Sequence, residues 1–203
     1  MAFVFRYFAS VSSGNFGALT TALGAIGQFG GWFVLVALLA RSKGRSVVQD
    51  FGLRVDIRDW WAVFAGLGLF VVGSLMILPL VDLANESQQV VQDLEQASGA
   101  KLVVFALVAA VIAPICEELL FRGLLLRALR RRLEPVPAVA IQALVFALAH
   151  PLLSPTVGDL AVVPALFLLG LASGVAATRK GDLSASILMH IGFNLVTTLA
   201  AVF

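Results

Sequence analysis

Apolar runs of about 20 residues recur along this chain, and each is long enough to cross the roughly 30 Å of hydrocarbon in a bilayer. The first run, Phe16 to Ala40, contains no charged residue. Of the 203 residues, 60% are apolar and only 13% are charged, which excludes an ordinary water-soluble domain. The sequence therefore predicts an all-α, polytopic bundle of membrane helices that forms a single domain over residues 1–203.

About six membrane spans are predicted. Their approximate boundaries are Phe16 to Ala40, Trp60 to Val81, Leu102 to Leu126, 135–150, 161–178 and 183–203. The acidic, Gln-rich segment 82–101 is predicted to form an interfacial or soluble helix rather than another crossing. The fourth span has the least defined outer end, because it is short unless it continues past Pro151.

Basic residues alternate between the connections and so predict the orientation of the bundle. The connections after the first, third and fifth spans hold Arg41, Lys43, Arg45, Arg54, Arg58, Arg127, Arg130, Arg131, Arg132, Arg179 and Lys180. The alternate segments hold only Arg6 and Lys101. The positive-inside rule places the basic connections in the cytoplasm and both termini on the other side of a cell inner membrane or its equivalent. Membrane topology thus explains the basic residues without a nucleic-acid partner.

Three ionisable residues, Glu117, Glu118 and Arg122, interrupt the third apolar run. A charge near the bilayer centre costs at least about 2.5 to 3.5 kcal/mol on insertion scales, and such groups are usually paired or functional. Glu118 and Arg122 are four residues apart and share a helix face, so they are predicted to pair. Glu117 lies about 100° round the helix and has no obvious partner on it. A purely structural interpretation is a Glu–Arg pair with a glutamate at the interface.

Both histidines of the chain, His150 and His190, lie in apolar spans. Taken singly, each position is typical of a histidine that packs in a protein core. Phe146 and His150 are four residues apart, as are His190 and Asn194, so each pair can point from one helix face into a common cavity. A carboxylate, two imidazoles and an amide are sufficient for hydrolysis, because they can activate water and donate hydrogen bonds to an oxyanion.

Three motifs in order carry a resemblance to a known family. They are EExxxR at residues 117–122, FxxxH at 146–150 and HxxxN at 190–194. The chain resembles the CAAX-protease and bacteriocin-processing enzymes (CPBP family), also called the ABI or Rce1-like intramembrane proteases. The resemblance covers about residues 100–203, which would form the protease core. It implies an intramembrane endopeptidase of the CAAX prenyl type, with the active site inside the bundle.

The resemblance also implies the catalytic residues. Glu117 would be the base that activates water, and His150 would help to hold that water. His190 and Asn194 would stabilise the oxyanion of the tetrahedral intermediate.

Other residues would support this site. Glu118 and Arg122 would fix the helix and tune the field around Glu117, while Phe146 would pack. No serine or cysteine is well supported as a nucleophile, although Cys116 beside Glu117 is kept as an alternative.

A zinc enzyme is the alternative mechanism, with Glu117, His150 and His190 as a His₂Glu ligand set. The base would then have to be another group such as Glu118, which is a poor base when paired with Arg122. The chain lacks an HExxH motif, and no cofactor is assigned.

The predicted partners are the lipid bilayer and a peptide or lipidated C-terminal CAAX protein as substrate. Two other functions stay open. One is a non-catalytic family member that acts as a bacteriocin-immunity or membrane scaffold protein. The other is a proton-coupled transporter, for which the sequence lacks the expected inverted repeats.

Overall fold

The computed structural model describes residues 18–42, 44, 46–80, 99–152 and 160–202. Within these ranges the chain is helical and contains no strand, as the sequence predicts. We number seven helices of this part of the chain, which are α1 (Ala18–Ser42), α2 (Val47–Phe51), α3 (Trp61–Ile77), α4 (99–129), α5 (Pro135–Leu152), α6 (Val163–Lys180) and α7 (Ser184–Val202). Most of the predicted interfacial helix at 82–101 lies outside the described residues.

Two helical stretches among the described residues are long and apolar enough to cross a membrane, namely Ile57–Ile77 and Leu102–Leu129. Phe29–Ser42, Pro135–His150 and Ser184–Val196 are shorter apolar stretches. These two stretches overlap the second and third predicted spans. Six crossings stay a prediction.

The outer surface of the bundle is apolar, and its interior includes charged side chains. Apolar side chains on the outer faces of α1, α3 and α5 are exposed, as at Leu35, Phe64 and Leu144. In contrast, Glu118 and Arg122 are only 0% and 1% exposed. Apolar surface of this kind suits hydrocarbon, and buried charges suit the interior of a membrane bundle.

Helices α3 and α7 pack closely because glycine lies at their contact. A Cβ atom added at Gly66 would overlap the backbone carbonyl of Met189, and one added at Gly192 would overlap that of Val63. Small residues let helix backbones approach in membrane bundles, where no hydrophobic effect drives helices together. The approach of α3 fixes the position of α7, which bears His190.

The GxxxG spacing in α6 lies at the contact with α5. A Cβ atom at Gly170 would come within 2.9 Å of the Cα of Ala143, and one at Gly174 within 3.0 Å of Val139. Both glycines therefore permit the close packing of α5, which bears His150.

The three basic connections meet at one end of the bundle, which we call the basic end. Arg127 of α4 donates hydrogen bonds to the backbone oxygens of Gly181, at 2.6 Å, and Asp50, at 3.3 Å. Lys180 at the end of α6 forms an ion pair with the buried carboxylate of Asp59 before α3. The segments after α1, α4 and α6 are thus on one side, as the charge pattern requires. That this side is cytoplasmic stays a prediction.

The short helix α2 is defined at both ends by its sequence. Ser46 and Gln49 form a capping box, in which Ser46 Oγ accepts from the Gln49 N–H at 3.2 Å and Gln49 Oε1 accepts from the Ser46 N–H at 3.1 Å. Gly52 ends the helix at φ 72°, a left-handed conformation that favours glycine. Its carbonyl accepts a hydrogen bond from the Leu183 N–H at 2.9 Å, which holds α2 against the α6–α7 turn.

The turn before α3 is stabilised by Asp56. Its carboxylate accepts from the Arg58 N–H at 3.0 Å and from the Arg58 guanidinium at 2.7 Å. These hydrogen bonds hold the pKa of Asp56 well below its usual range, so the carboxylate stays ionised near neutral pH. The backbone N–H of Asp56 donates to Ser184 Oγ at 2.7 Å, which ties this turn to the start of α7.

The close contact of α3 with α7 can be tested with two glycines of the same helix. Gly66→Ala should lower the stability by about 1–3 kcal/mol, because the added methyl group overlaps the α7 backbone. Gly68→Ala should be neutral or stabilise by about 0.5–1 kcal/mol, because nothing lies within 4 Å of that position. Thermal unfolding in detergent, followed by circular dichroism, measures both variants. Equal unfolding temperatures for Gly66→Ala and Gly68→Ala would contradict the close contact of Gly66 with α7.

Candidate active site

The helix that bears Glu117 and Glu118 is irregular on both sides of them. Helix α4 is α-helical over Gly99–Leu107, Ala113–Glu118 and Arg127–Leu129 and π-helical over Val108–Ile112 and Leu119–Leu126. π-turns are uncommon and frequently lie at functional sites. The two glutamates therefore lie on a short α-helical segment between two wider turns.

The predicted pair of Glu118 and Arg122 is present and fully buried. Arg122 Nη1 lies 2.9 Å from Glu118 Oε1, and both side chains are 0% exposed. The Arg122 guanidinium also lies over the ring of Phe146, 4.4 Å from its centroid. A cation over an aromatic face is attracted by the ring quadrupole, and the attraction is larger when both groups are desolvated.

His190 connects the two glutamates. Its Nδ1 lies 2.9 Å from Glu118 Oε1, so this nitrogen carries the proton when Glu118 is ionised. Its Nε2 then faces Glu117, with 3.7 Å between Nε2 and Oε2 of that residue. This distance is longer than a hydrogen bond. Glu118 thus orients the imidazole of His190 toward Glu117, while Arg122 balances the charge of Glu118.

His150 is held by its own helix. Its Nδ1 donates to the carbonyl oxygen of Phe146 at 2.9 Å, since a carbonyl can only accept, and Nε2 keeps its lone pair. The imidazole is 7% exposed and contacts the Phe146 ring edge to face at 5.0 Å. It lies in the last turn of α5, which extends past Pro151 to Leu152.

Phe146 is the central contact of the site. Its ring meets His150 at 5.0 Å, His190 at 5.6 Å and Phe121 at 5.1 Å, each time in an edge-to-face arrangement. The side chain is 0% exposed. The sequence predicts only a packing residue here, and the structure adds that this packing brings α4, α5 and α7 together.

Asn194 joins α7 to the first π-turn of α4. Its Nδ2 donates to the carbonyl oxygen of Ala109 at 3.1 Å. In a π-turn this carbonyl would accept from the residue five positions later, which is Pro114, and proline has no N–H. Asn194 therefore supplies a hydrogen bond that the helix itself lacks. One of its two amide protons is engaged in this way.

The structure brings all seven predicted residues into one region, while their catalytic roles stay predictions. Sequence reasoning did not find Phe121 or the carbonyl of Ala109. It also did not find the buried Gln142 and Ser173, whose side chains have no hydrogen-bond partner in the described part of the protein. A glutamine inside an apolar run is a detectable signal, whereas a backbone carbonyl is not.

The zinc alternative requires three ligating side chains that lie close together. Among the described residues, no three His, Cys, Asp or Glu side chains form a group that could hold a metal ion. Cys116 has a free thiol and is partly buried next to Glu117.

The fold and the site define a helical membrane protein with a buried glutamate–histidine centre. Residues 99–196 match the family described as type II CAAX prenyl endopeptidase Rce1-like. This C-terminal region, slightly less than half of the chain, is similar to the Rce1-like family. The matched region contains all three motifs of the site and confirms the resemblance inferred from them.

One curated relative is an uncharacterized 24.3 kDa protein of Escherichia coli, which is 29% identical over 139 residues. The match covers 68% of this chain, and the chain spans 58% of the relative's length. No solved structure matches the chain.

The buried ion pair predicts a large loss of stability when one partner is removed. Glu118→Gln should destabilise by about 3–5 kcal/mol, because Arg122 is left as a buried charge without its counter-ion. Glu134→Gln, at an exposed position after α4, is the control and should change stability by less than about 0.5 kcal/mol.

A double variant separates charge imbalance from general disruption of the core. Glu118→Gln combined with Arg122→Met should recover much of the stability, since replacing a buried pair by residues without charge is often neutral. Thermal unfolding in detergent measures all three proteins. A double variant less stable than Glu118→Gln would contradict the assigned cause.

Proposed function

We propose that this protein is an endopeptidase of the CAAX prenyl type that hydrolyses a peptide bond inside the membrane bundle. The observation that carries the proposal is the pairing of Glu117 with the buried His190, with 3.7 Å between the carboxylate and the imidazole. Glu118 and Arg122 fix this pair, and the Rce1-like match supports protease activity at the level of the family.

Glu117 acts as the general base in the proposed reaction. It accepts a proton from a water molecule that His150 helps to hold, and the water oxygen attacks the carbonyl carbon of the peptide bond. The C–O bond forms and a tetrahedral oxyanion results. The proton then passes from Glu117 to the amide nitrogen, the C–N bond breaks, and a carboxylic acid and an amine leave.

His190 and Asn194 act as donors to the oxyanion. Two observations bear on this assignment, the orientation of His190 by Glu118 and the hydrogen bond from Asn194 to α4. His190 needs a proton on Nε2 to donate to the oxyanion. Asn194 has a second amide proton, because only one is used by Ala109.

The proposed substrate is a lipidated C-terminal CAAX protein or a peptide that reaches the site from the membrane. The proposed setting is a multi-pass bundle of about six helices with its basic end in the cytoplasm. The apolar outer faces and the basic end of the bundle support this setting.

The test is cleavage of a quenched fluorescent prenylated CAAX peptide by purified, detergent-solubilised protein. Glu117→Gln should reduce the rate by about 10²- to 10⁴-fold, because the amide cannot accept the proton of water. Glu134→Gln is the matched control, and its activity should stay unchanged. Circular dichroism spectra of both variants verify that they are folded.

The outcomes distinguish the proposed function from its alternatives. Cleavage that survives Glu117→Gln would contradict the role of Glu117 as base. Absence of cleavage in the wild type, with prenylated and unprenylated peptides alike, would favour a non-catalytic scaffold or immunity protein. Equal cleavage of the prenylated and unprenylated peptides would show that the enzyme does not require a prenyl group on its substrate.

A chelator tests the metal alternative separately. We expect a zinc chelator to leave the rate unchanged, since the proposed reaction uses Glu117 directly as base. Loss of activity with chelator and its recovery with zinc would instead assign Glu117, His150 and His190 to a metal site.

A further inference from the structure

A cavity opens at the basic end of the bundle, outside the glutamate–histidine site. Its volume is about 360 Å³, and it lies between α2, the end of α4 and the end of α6. The polar side chains that line it include Arg122, Arg127, Arg130, Arg131, Thr178 and Asp50. Four of these six side chains are guanidinium groups and one is a carboxylate.

The inner wall of the cavity carries polar groups that lack partners. Arg122 is 1% exposed, and no residue in the described ranges accepts a hydrogen bond from its Nε or Nη2. The buried hydroxyl of Thr178 also has no partner among the described residues. Buried donors are nearly always hydrogen-bonded, because an unsatisfied buried donor destabilises the folded state. Two such groups in one basic cavity indicate a missing acceptor.

The other arginines hold the wall in place or lie at the opening. Arg127 is fixed by hydrogen bonds to the backbone oxygens of Asp50 and Gly181. Arg130 and Arg131 are exposed and follow α4 into the turn before α5. The positive charge therefore extends from the bundle interior to the surface of the basic end.

We propose that this cavity binds a phosphate group, and that in the membrane this group is the headgroup phosphate of an anionic phospholipid. A phosphate offers several acceptor oxygens to guanidinium groups, which match its geometry with paired hydrogen bonds. Basic pockets between membrane helices on the cytoplasmic side are typical sites for anionic headgroups. Arg122 and Thr178 are the inner donors, and Arg130 and Arg131 are the outer ones.

Arg122 connects the cavity to the glutamate–histidine site, so a bound ligand can affect that site. Arg122 lines the cavity and also pairs with Glu118 by Nη1. A phosphate supplies the acceptors that Nε and Nη2 lack and so fixes the guanidinium against Glu118. We therefore expect the ligand to stabilise the folded protein, because it binds the native state and not the unfolded chain.

The test uses the full protein in nanodiscs that contain either phosphatidylcholine alone or phosphatidylcholine with phosphatidylglycerol. Native mass spectrometry measures the lipid retained, and thermal unfolding measures the stabilisation. Arg130→Gln with Arg131→Gln should weaken retention of phosphatidylglycerol on the order of tenfold. Arg132→Gln with Arg179→Gln removes the same charge from exposed residues that do not line the cavity, and it should leave retention unchanged.

Thr178→Val is a second variant that changes no charge. It should weaken retention of phosphatidylglycerol several-fold, because it removes one inner donor, while the unliganded protein keeps or gains stability. Stabilisation by inorganic phosphate in detergent, lost in the same variants, would assign the site to a free phosphate and would support the shared chemistry.

Two outcomes would overturn the proposal. Equal loss of retention in the two double variants would mean that the lipid responds to net charge and not to the cavity. Stabilisation by a peptide with a free C-terminal carboxylate, without any effect of phosphatidylglycerol or inorganic phosphate, would assign the cavity to a peptide end.

Discussion

The burial of Glu118 and Arg122 is the constraint on which the rest of the site depends. Taking each ion out of water costs several kcal/mol, and only close pairing with good hydrogen bonds offsets that cost. Glu118 Oε1 lies 2.9 Å from both Arg122 Nη1 and His190 Nδ1, while Phe146 covers the guanidinium. Helices α4, α5 and α7 must therefore approach one another closely. Glycines hold two of these helices from their other sides, by packing α7 against α3 and α5 against α6.

Much of this arrangement can be predicted from the sequence, because charged and polar residues in apolar runs are costly and therefore informative. The spacing of four residues predicts the Glu118–Arg122 pair, which the structure contains. The same spacing places Phe146 and His150 on one face of α5, and the structure packs their rings together. The helical fold is confirmed in the described residues, and the family match confirms the resemblance carried by the motifs.

The rest could not be predicted because sequence periodicity assumes a regular helix of 3.6 residues per turn. Two π-turns in α4 change the angle between successive side chains around the helix axis on both sides of the glutamates. In the structure the Phe146 ring contacts His150 and His190 together, so the two histidines reach the same region. The cavity at the basic end depends on three connections that are distant in sequence.

The hydrogen bond from Asn194 to Ala109 has an evolutionary consequence, because the acceptor is a backbone atom. Every residue type at position 109 offers the same carbonyl, so this contact does not restrict which amino acid occurs there. The contact instead links Pro114 to Asn194, since an N–H at position 114 would compete for the carbonyl. In related chains, Pro114 and Asn194 should therefore be replaced together. Position 109, which accepts the hydrogen bond through its backbone, should vary independently of both.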